Sequence, residues 1–208
     1  TFYNPSEVLI DIKFLESLPK REIKSGYAEI VKHALIKDFN FFNWLETNYK
    51  KLLSLETKTL EIAIYRSIMI KLWFVNKDPK ENLTNNNSRA ILNFGHTFGH
   101  ALETFYGFNK HINHGEAISV GMICESIISN KLGILSNRDL FLIKNHFKKT
   151  KLKILDKNIK NKKIFNNIVK DKKNFNGILN IILLKKIGNS IFQKNLKFDE
   201  IKKIIENI

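Results

Sequence analysis

The sequence holds one cysteine, three prolines and only four arginines among its 35 basic residues. A lone Cys124 cannot close an internal disulfide or build a thiolate metal cluster, so both scaffolds are excluded. Long apolar runs are missing too. Residues such as Arg66 and Lys71 interrupt every one before the ~18 residues that a spanning helix needs, and no membrane partner is expected. The first ten residues, TFYNPSEVLI, lack the basic-then-apolar layout of a secretory signal. With the unpaired thiol, this makes a reducing cytoplasm the expected location. No βαβ unit carrying GxGxxG is present, and no internal repeat is found.

What is abundant is lysine. The formal charge is +15, with 31 Lys and 30 Ile alongside many Asn, a set that matches A/T-rich codons. Nucleic-acid recognition recruits arginine forks and interleaved aromatics, which are scarce here, so no nucleic-acid partner is expected. The charge is also local. Lys144 to Lys173 holds 12 Lys against Asp156 and Asp171, either as a solvated surface or as a face for an anion such as phosphate.

With 208 residues and 43% hydrophobic side chains, the chain can fill one core, and disorder throughout is excluded. The opening stretch, Glu7 to Leu18, has no clear structural reading. Beyond Pro19 the apolar residues Ile23, Tyr27, Ile30, Val31, Ala34 and Leu35 recur at helical spacing, and a helix ends near Asp38. Further helices are expected over Phe39 to Thr47, Leu55 to Asn76, Ala90 to Phe105, Glu116 to Lys131 and Asn137 to Lys149. Asp78 to Ser88 is a polar surface loop. Ile178 to Leu184 and Ser190 to Gln193 flank Gly188-Asn189 as a hairpin, and Asp199 to Ile205 closes the chain as a helix. The expected class is mainly α, a multi-helix domain with a small β-hairpin.

The stretch Asn93-Phe94-Gly95-His96-Thr97-Phe98-Gly99-His100 carries the chemistry. In a helix it sets His96 and His100 one turn apart on one face. Each glycine in a helix interior costs about 1 kcal/mol relative to Ala, so something must approach that backbone closely. An HxxxH pair is equally compatible with structural histidines on a tightly packed helix. A zinc-protease site is excluded, because HExxH needs a Glu where Thr97 stands. His114-Gly115-Glu116 follows at a loop-to-helix junction. His96, His100, His111 and His114 fall within nineteen positions, and His111 has no motif around it. A catalytic divalent site takes three N/O ligands, so a carboxylate is needed. Glu29, amid apolar neighbours with Lys32 one turn on, is a candidate, although such a pair taken alone reads as a surface ion pair.

Four strings, R-E-x-x-x-G-x-A-E-x-x-K-H (Arg21 to His33), R-x-x-L-N-F-G-H-T-F-G-H-A-x-E (Arg89 to Glu103), H-G-E-A (His114 to Ala117) and D-K-K (Asp171 to Lys173), resemble the 3-dehydroquinate synthase family of sugar-phosphate cyclases in residues and order. The resemblance covers essentially the whole chain, as a C-terminal metal- and substrate-binding domain spanning 1–208. It implies Glu29, His96 and His114 as ligands of a zinc or cobalt ion, His100, Lys32, Arg89 and Asn93 as catalytic residues, and Lys71, Lys172 and Lys173 as substrate-binding residues. It implies an anionic sugar-phosphate substrate and a homodimer for the full-length enzyme. The implied reaction converts 3-deoxy-D-arabino-heptulosonate 7-phosphate to 3-dehydroquinate and phosphate in the shikimate route to aromatic amino acids, with NAD oxidising and then reducing the substrate. The family's N-terminal α/β domain binds NAD; this sequence begins where that domain ends, so no cofactor-binding residue is assigned and the chain alone is expected to be inactive. Asn82 to Asn87 reads as an insertion between Lys71 and Arg89 relative to the family's usual spacing. Rival readings are another sugar-phosphate cyclase, an iron-type alcohol dehydrogenase and a non-catalytic helical relic.

Overall fold

The computed structural model describes residues 6–109, 111–170 and 178–208. Pro19 opens α1 (Lys20–Lys37), which ends at Asp38. The Asp38 side chain also starts α2 (Phe39–Leu53), accepting a bond from the Phe41 amide at 2.8 Å while its other oxygen takes Arg66 at 2.9 Å. One carboxylate therefore turns the chain between two helices and ties both to α3 (Thr57–Lys77). A 3-10 turn (Arg89–Asn93) leads into α4 (His96–Phe105), followed by α5 (His114–Lys131), α6 (Asn137–Thr150) and α7 (Lys162–Lys170). The hairpin β1 (Ile178–Lys186) and β2 (Asn189–Lys197) pairs antiparallel, and α8 (Phe198–Glu206) follows.

The helix α5 is the axis of the fold. Fourteen of its 18 residues are buried, because it is apolar or small on every side rather than along one stripe. Ile118, Met122, Ile123 and Ile127 face a core shared with α1, α2 and α3. Ala117, Val120, Cys124 and Ile128 face a second core with α4, α7, the hairpin and α8. The hairpin is pinned from both sides, by Gly188 N–H to the Leu35 carbonyl at 2.8 Å and by the Ser129 hydroxyl to the Leu184 carbonyl at 2.6 Å. No helix among the described residues is long and apolar enough to cross a membrane.

The class is the expected one: mainly α with one small hairpin. Several boundaries differ. The single helix expected over Ala90 to Phe105 is broken at Phe94-Gly95, where Gly95 takes φ +83° and becomes the residue before α4. Helix α2 runs past Thr47 to Leu53, and α5 starts at His114 rather than Glu116, because Asn113 and Glu116 form a capping box. Both strands extend beyond their apolar stretches. Helix α7 went unforeseen among its lysines and asparagines, yet Ile164, Phe165 and Ile168 give it a fully buried face.

Candidate metal centre

Three helices each supply one of the residues expected at the metal: Glu29 from α1, His96 from the first position of α4 and His114 from the first position of α5. Absent side chains bring these helices together. A Cβ on Gly121 would lie 1.8 Å from the Gly95 carbonyl oxygen, and one on Gly115 would lie 2.2 Å from Ser25 Cα. The start of α4 thus rests on the backbone of α5, and the start of α5 rests on α1. This close approach, with left-handed Gly95 capping the start of α4, accounts for the glycines around the histidines.

One ligand atom from each of Glu29, His96 and His114 lies within 4.8 Å of the other two. The ring orientations follow from their outer partners. His96 Nδ1 lies 3.2 Å from the Phe94 carbonyl, which can only accept, so Nδ1 carries the proton. His114 Nδ1 is 3.1 Å from Glu103 Oε1 and donates to that carboxylate. Both Nε2 atoms face Glu29 Oε1: at 4.0 Å for His96, whose neutral ring carries a lone pair there, and at 3.4 Å for His114, whose contacts with Glu29 and Glu103 favour the protonated ring, so that a bound cation would displace its Nε2 proton. That oxygen is buried and has no hydrogen-bond partner of good geometry, an arrangement that costs energy unless something else is held there. Two imidazole nitrogens and a carboxylate oxygen suit zinc or cobalt. The donor set fits a divalent cation.

Charge is arranged around this point. Burial works against the Glu29 carboxylate, but the His114 contact and the Lys32 ammonium outweigh it and hold the group well below the usual carboxylate range. Burial, then the Lys32 charge, pushes His96 down to about 3, so its imidazole stays neutral. Lys32 is only 4% exposed and donates to Glu29 Oε2 at 2.6 Å. The surface ion pair that spacing alone suggested is therefore an interior one, and its burial depresses the Lys32 ammonium despite Glu29. Lys71 is exposed, yet its charge acts on both Lys32 and His33, which puts it on this side of the molecule.

His100 lies exposed beside the triad, with its ring centroid 5.0 Å from that of His96 and 6.3 Å from that of His114. Asn93, His96 and His100 share a small cleft with Asn180 and Phe192 of the hairpin. The Asn93 amide donates to Glu81 at 3.2 Å, and Arg89 donates to the Pro79 carbonyl at 3.3 Å. Lys172 and Lys173 lie outside the described residues. His111 stands off the triad, near Tyr106, with its carbonyl held by Arg21.

Three further residues support the site. Glu103 was visible only as the end of a motif; its role needs His114 to fold back over it. Asp78 looked like the first residue of a loop. Its buried carboxylate gathers the amides of Asn82, Leu83 and Arg89 and the Ser88 hydroxyl, so the whole stretch closes around one side chain and delivers Arg89. Glu125 sits within α5, where its carboxyl accepts from the Gly95 amide at 2.6 Å and faces Thr97 at the start of α4. A mid-helix Glu offers no sequence signal for such a task.

The profile described as 3-dehydroquinate synthase C-terminal matches residues 26–174. The chain belongs to that family. Among named relatives, the 3-dehydroquinate synthase of Buchnera aphidicola subsp. Baizongia pistaciae is 39% identical over 208 residues, 100% of this chain and 57% of the relative. That of Thermodesulfovibrio yellowstonii is 39% identical over 206 residues, covering 99% and 56%. The chain therefore spans little more than half the length of these 3-dehydroquinate synthases. A solved 2-epi-5-epi-valiolone synthase from Streptomyces hygroscopicus subsp. jinggangensis, with NAD+ and Zn2+ bound, superposes with a TM-score of 0.86 at 24% identity, over 100% of this chain and 56% of the other, and so shares the fold. A 2-deoxy-scyllo-inosose synthase complexed with carbaglucose-6-phosphate, NAD+ and Co2+ gives 0.71 at 26% identity over 95% and 55%.

Proposed function

We propose that this chain is the metal- and substrate-binding half of a 3-dehydroquinate synthase, a phosphate-eliminating lyase of the shikimate route. The observation that carries the reading is the convergence of Glu29, His96 and His114 around the unpartnered Glu29 oxygen. A divalent zinc or cobalt ion held there would polarise adjacent substrate hydroxyls, and NAD would take up a hydride and return it. In this reading NAD is bound by the part of the relatives that this chain does not cover, and the full-length enzyme is a homodimer.

The chain's own residues hold and orient the substrate. Glu29 keeps its charge because His114 and Lys32 flank it, and Glu103 fixes the His114 ring with Nε2 inward. Arg89 and Lys71, with the lysines at 172 and 173, match the phosphate and carboxylate of a polyanionic sugar acid through charge-assisted bonds. Asn93 offers an amide to a substrate hydroxyl. His100, exposed beside the triad, moves a proton at its imidazole nitrogen in the later carbonyl steps.

Two measurements test this. The purified chain should hold one zinc or cobalt per molecule; lack of stoichiometric metal would leave a helical relic instead. Phosphate release from the heptulosonate phosphate, with NAD and metal, should be absent with the chain alone and appear when an intact N-terminal half is supplied. Preference for a different heptulose phosphate would reassign the chain to another sugar-phosphate cyclase.

A further inference from the structure

A cavity of about 490 Å³ opens where the first turns of α1 and α5 meet the end of α6. Lys20 and Lys24 of α1, with Lys151 and Lys153 beyond α6, bring four ammonium groups to it. Lys153 is neutralised by Asp156 at 2.6 Å. Those of Lys20, Lys24 and Lys151 have no ion pair or hydrogen bond to a described residue. The acidic side chain in the wall, Glu116, is already held by Arg21 through two bonds of 2.8 and 2.6 Å. Three unmatched positive charges thus share one concavity.

Two polar groups point to a ligand there. Ser119 lines the cavity from the interior of α5; it is 0% exposed, and its hydroxyl has no hydrogen-bond partner. A buried hydroxyl without a partner is destabilising, and an acceptor in the cavity would remove that cost. Helix α1 starts behind Pro19 with no side-chain cap, so its first amides face outward beside Lys20 with the positive end of the helix dipole. Lys151 itself sits at φ +57°, where glycine is the easier residue.

We propose that this cavity binds a small phosphorylated or similarly polyanionic molecule, at a site separate from the metal centre. The volume exceeds a bare phosphate and suits a compact metabolite. Among the described residues the wall carries one aliphatic side chain, Leu152, and one small ring, His111, so a polar body such as a sugar fits. Lys151 and Lys153 belong to the lysine-rich stretch, whose two readings are thereby separated: these lysines serve an anion.

Calorimetric titration of the 208-residue chain at low salt, with pyrophosphate, glucose 6-phosphate and citrate as probes and glucose as the uncharged control, tests the site. Saturable binding of at least one anion, weakened at least tenfold in Lys24→Glu/Lys151→Glu and unchanged within about twofold in Lys185→Glu/Lys203→Glu, is expected; the ranking of the three anions identifies the ligand class. Measured in a Lys71→Glu/Arg89→Ala background, which removes the anion-binding groups proposed for the metal centre, the loss caused by Lys24→Glu/Lys151→Glu should persist. Lys151→Gly should raise the melting temperature while weakening binding. Absent saturation, equal losses in both charge-reversed pairs, or unchanged affinity in Lys151→Gly would each overturn the proposal.

Discussion

Glu103 Oε1 lies 3.1 Å from Nδ1 of His114, and this contact determines which imidazole nitrogen faces Glu29. The pair links the last full turn of α4 to the first residue of α5 across a loop. A carboxylate in this position orients a ligand ring and raises its basicity without touching the ion. Glu103→Gln should therefore keep the helical circular dichroism and weaken zinc binding by about 10–100-fold, measured by competition with a chromogenic chelator. Unchanged zinc affinity would show that the bond is incidental.

Gly121 is the tightest point of the fold, since its Cβ would fall 1.8 Å from the Gly95 carbonyl oxygen. The obstacle is backbone on a neighbouring helix and cannot rotate away. Gly121→Ala should cost about 3 kcal/mol or more by urea unfolding, at the upper end of overpacking effects. It should also weaken metal binding, because His96 adjoins the displaced Gly95. A loss below about 1 kcal/mol would mean that α4 can move off α5 at little cost.

Glu125 gives the fold a dependence on neutral pH. Burial pushes its carboxyl up to about 8, although the Gly95 and Thr97 groups pull it back toward ionisation. The folded-state value lies above the ordinary 4.5, so the unfolded chain ionises first as pH rises. The contribution is complete below about 4.5, declines as pH rises toward about 8 and levels off above it. Urea midpoints for Glu125→Gln should lose that decline relative to the unmodified chain.

Glu46 produces the opposite slope at acid pH. It bonds buried His146, whose other nitrogen meets the Tyr27 hydroxyl at 2.8 Å, and it accepts from Lys149 at 2.8 Å. The His146 bond lowers the Glu46 carboxyl to about 2, against burial and with help from Lys149. Its contribution is present above 4.5 and lost as pH falls toward about 2. Glu46→Gln should lower the unfolding midpoint at neutral pH and lose the decline through that acid window; an unchanged acid limb would remove Glu46 from the account.

The residues of the candidate centre were legible because they stand in dense local strings. His96 and His100 share a helical face by spacing alone, and the apolar period of α1 set Glu29 and Lys32 on neighbouring turns. The break at Gly95 was not legible, since a glycine within a helical pattern reads equally as interior or boundary until a neighbour's backbone is known. The lysines of α7 likewise masked Ile164, Phe165 and Ile168, whose burial depends on α4 and α8 lying over them. Lys32 read as surface because spacing reports a partner and says nothing of solvent.

Composition and periodicity determined by themselves that this chain is a mainly helical domain with a hairpin, and the ordered motifs, through the family they resemble, implied which side chains would hold a divalent ion. These are properties of short stretches, in which each residue's neighbours along the chain are already known. Tertiary structure alone decided that Glu29, His96 and His114 meet, that Glu103 and Glu125 stand behind them, and that Lys24 and Lys151 face one cavity. Those outcomes depend on how closely α1, α4 and α5 approach, which is set by packing at Gly95, Gly115 and Gly121 between residues far apart in the chain.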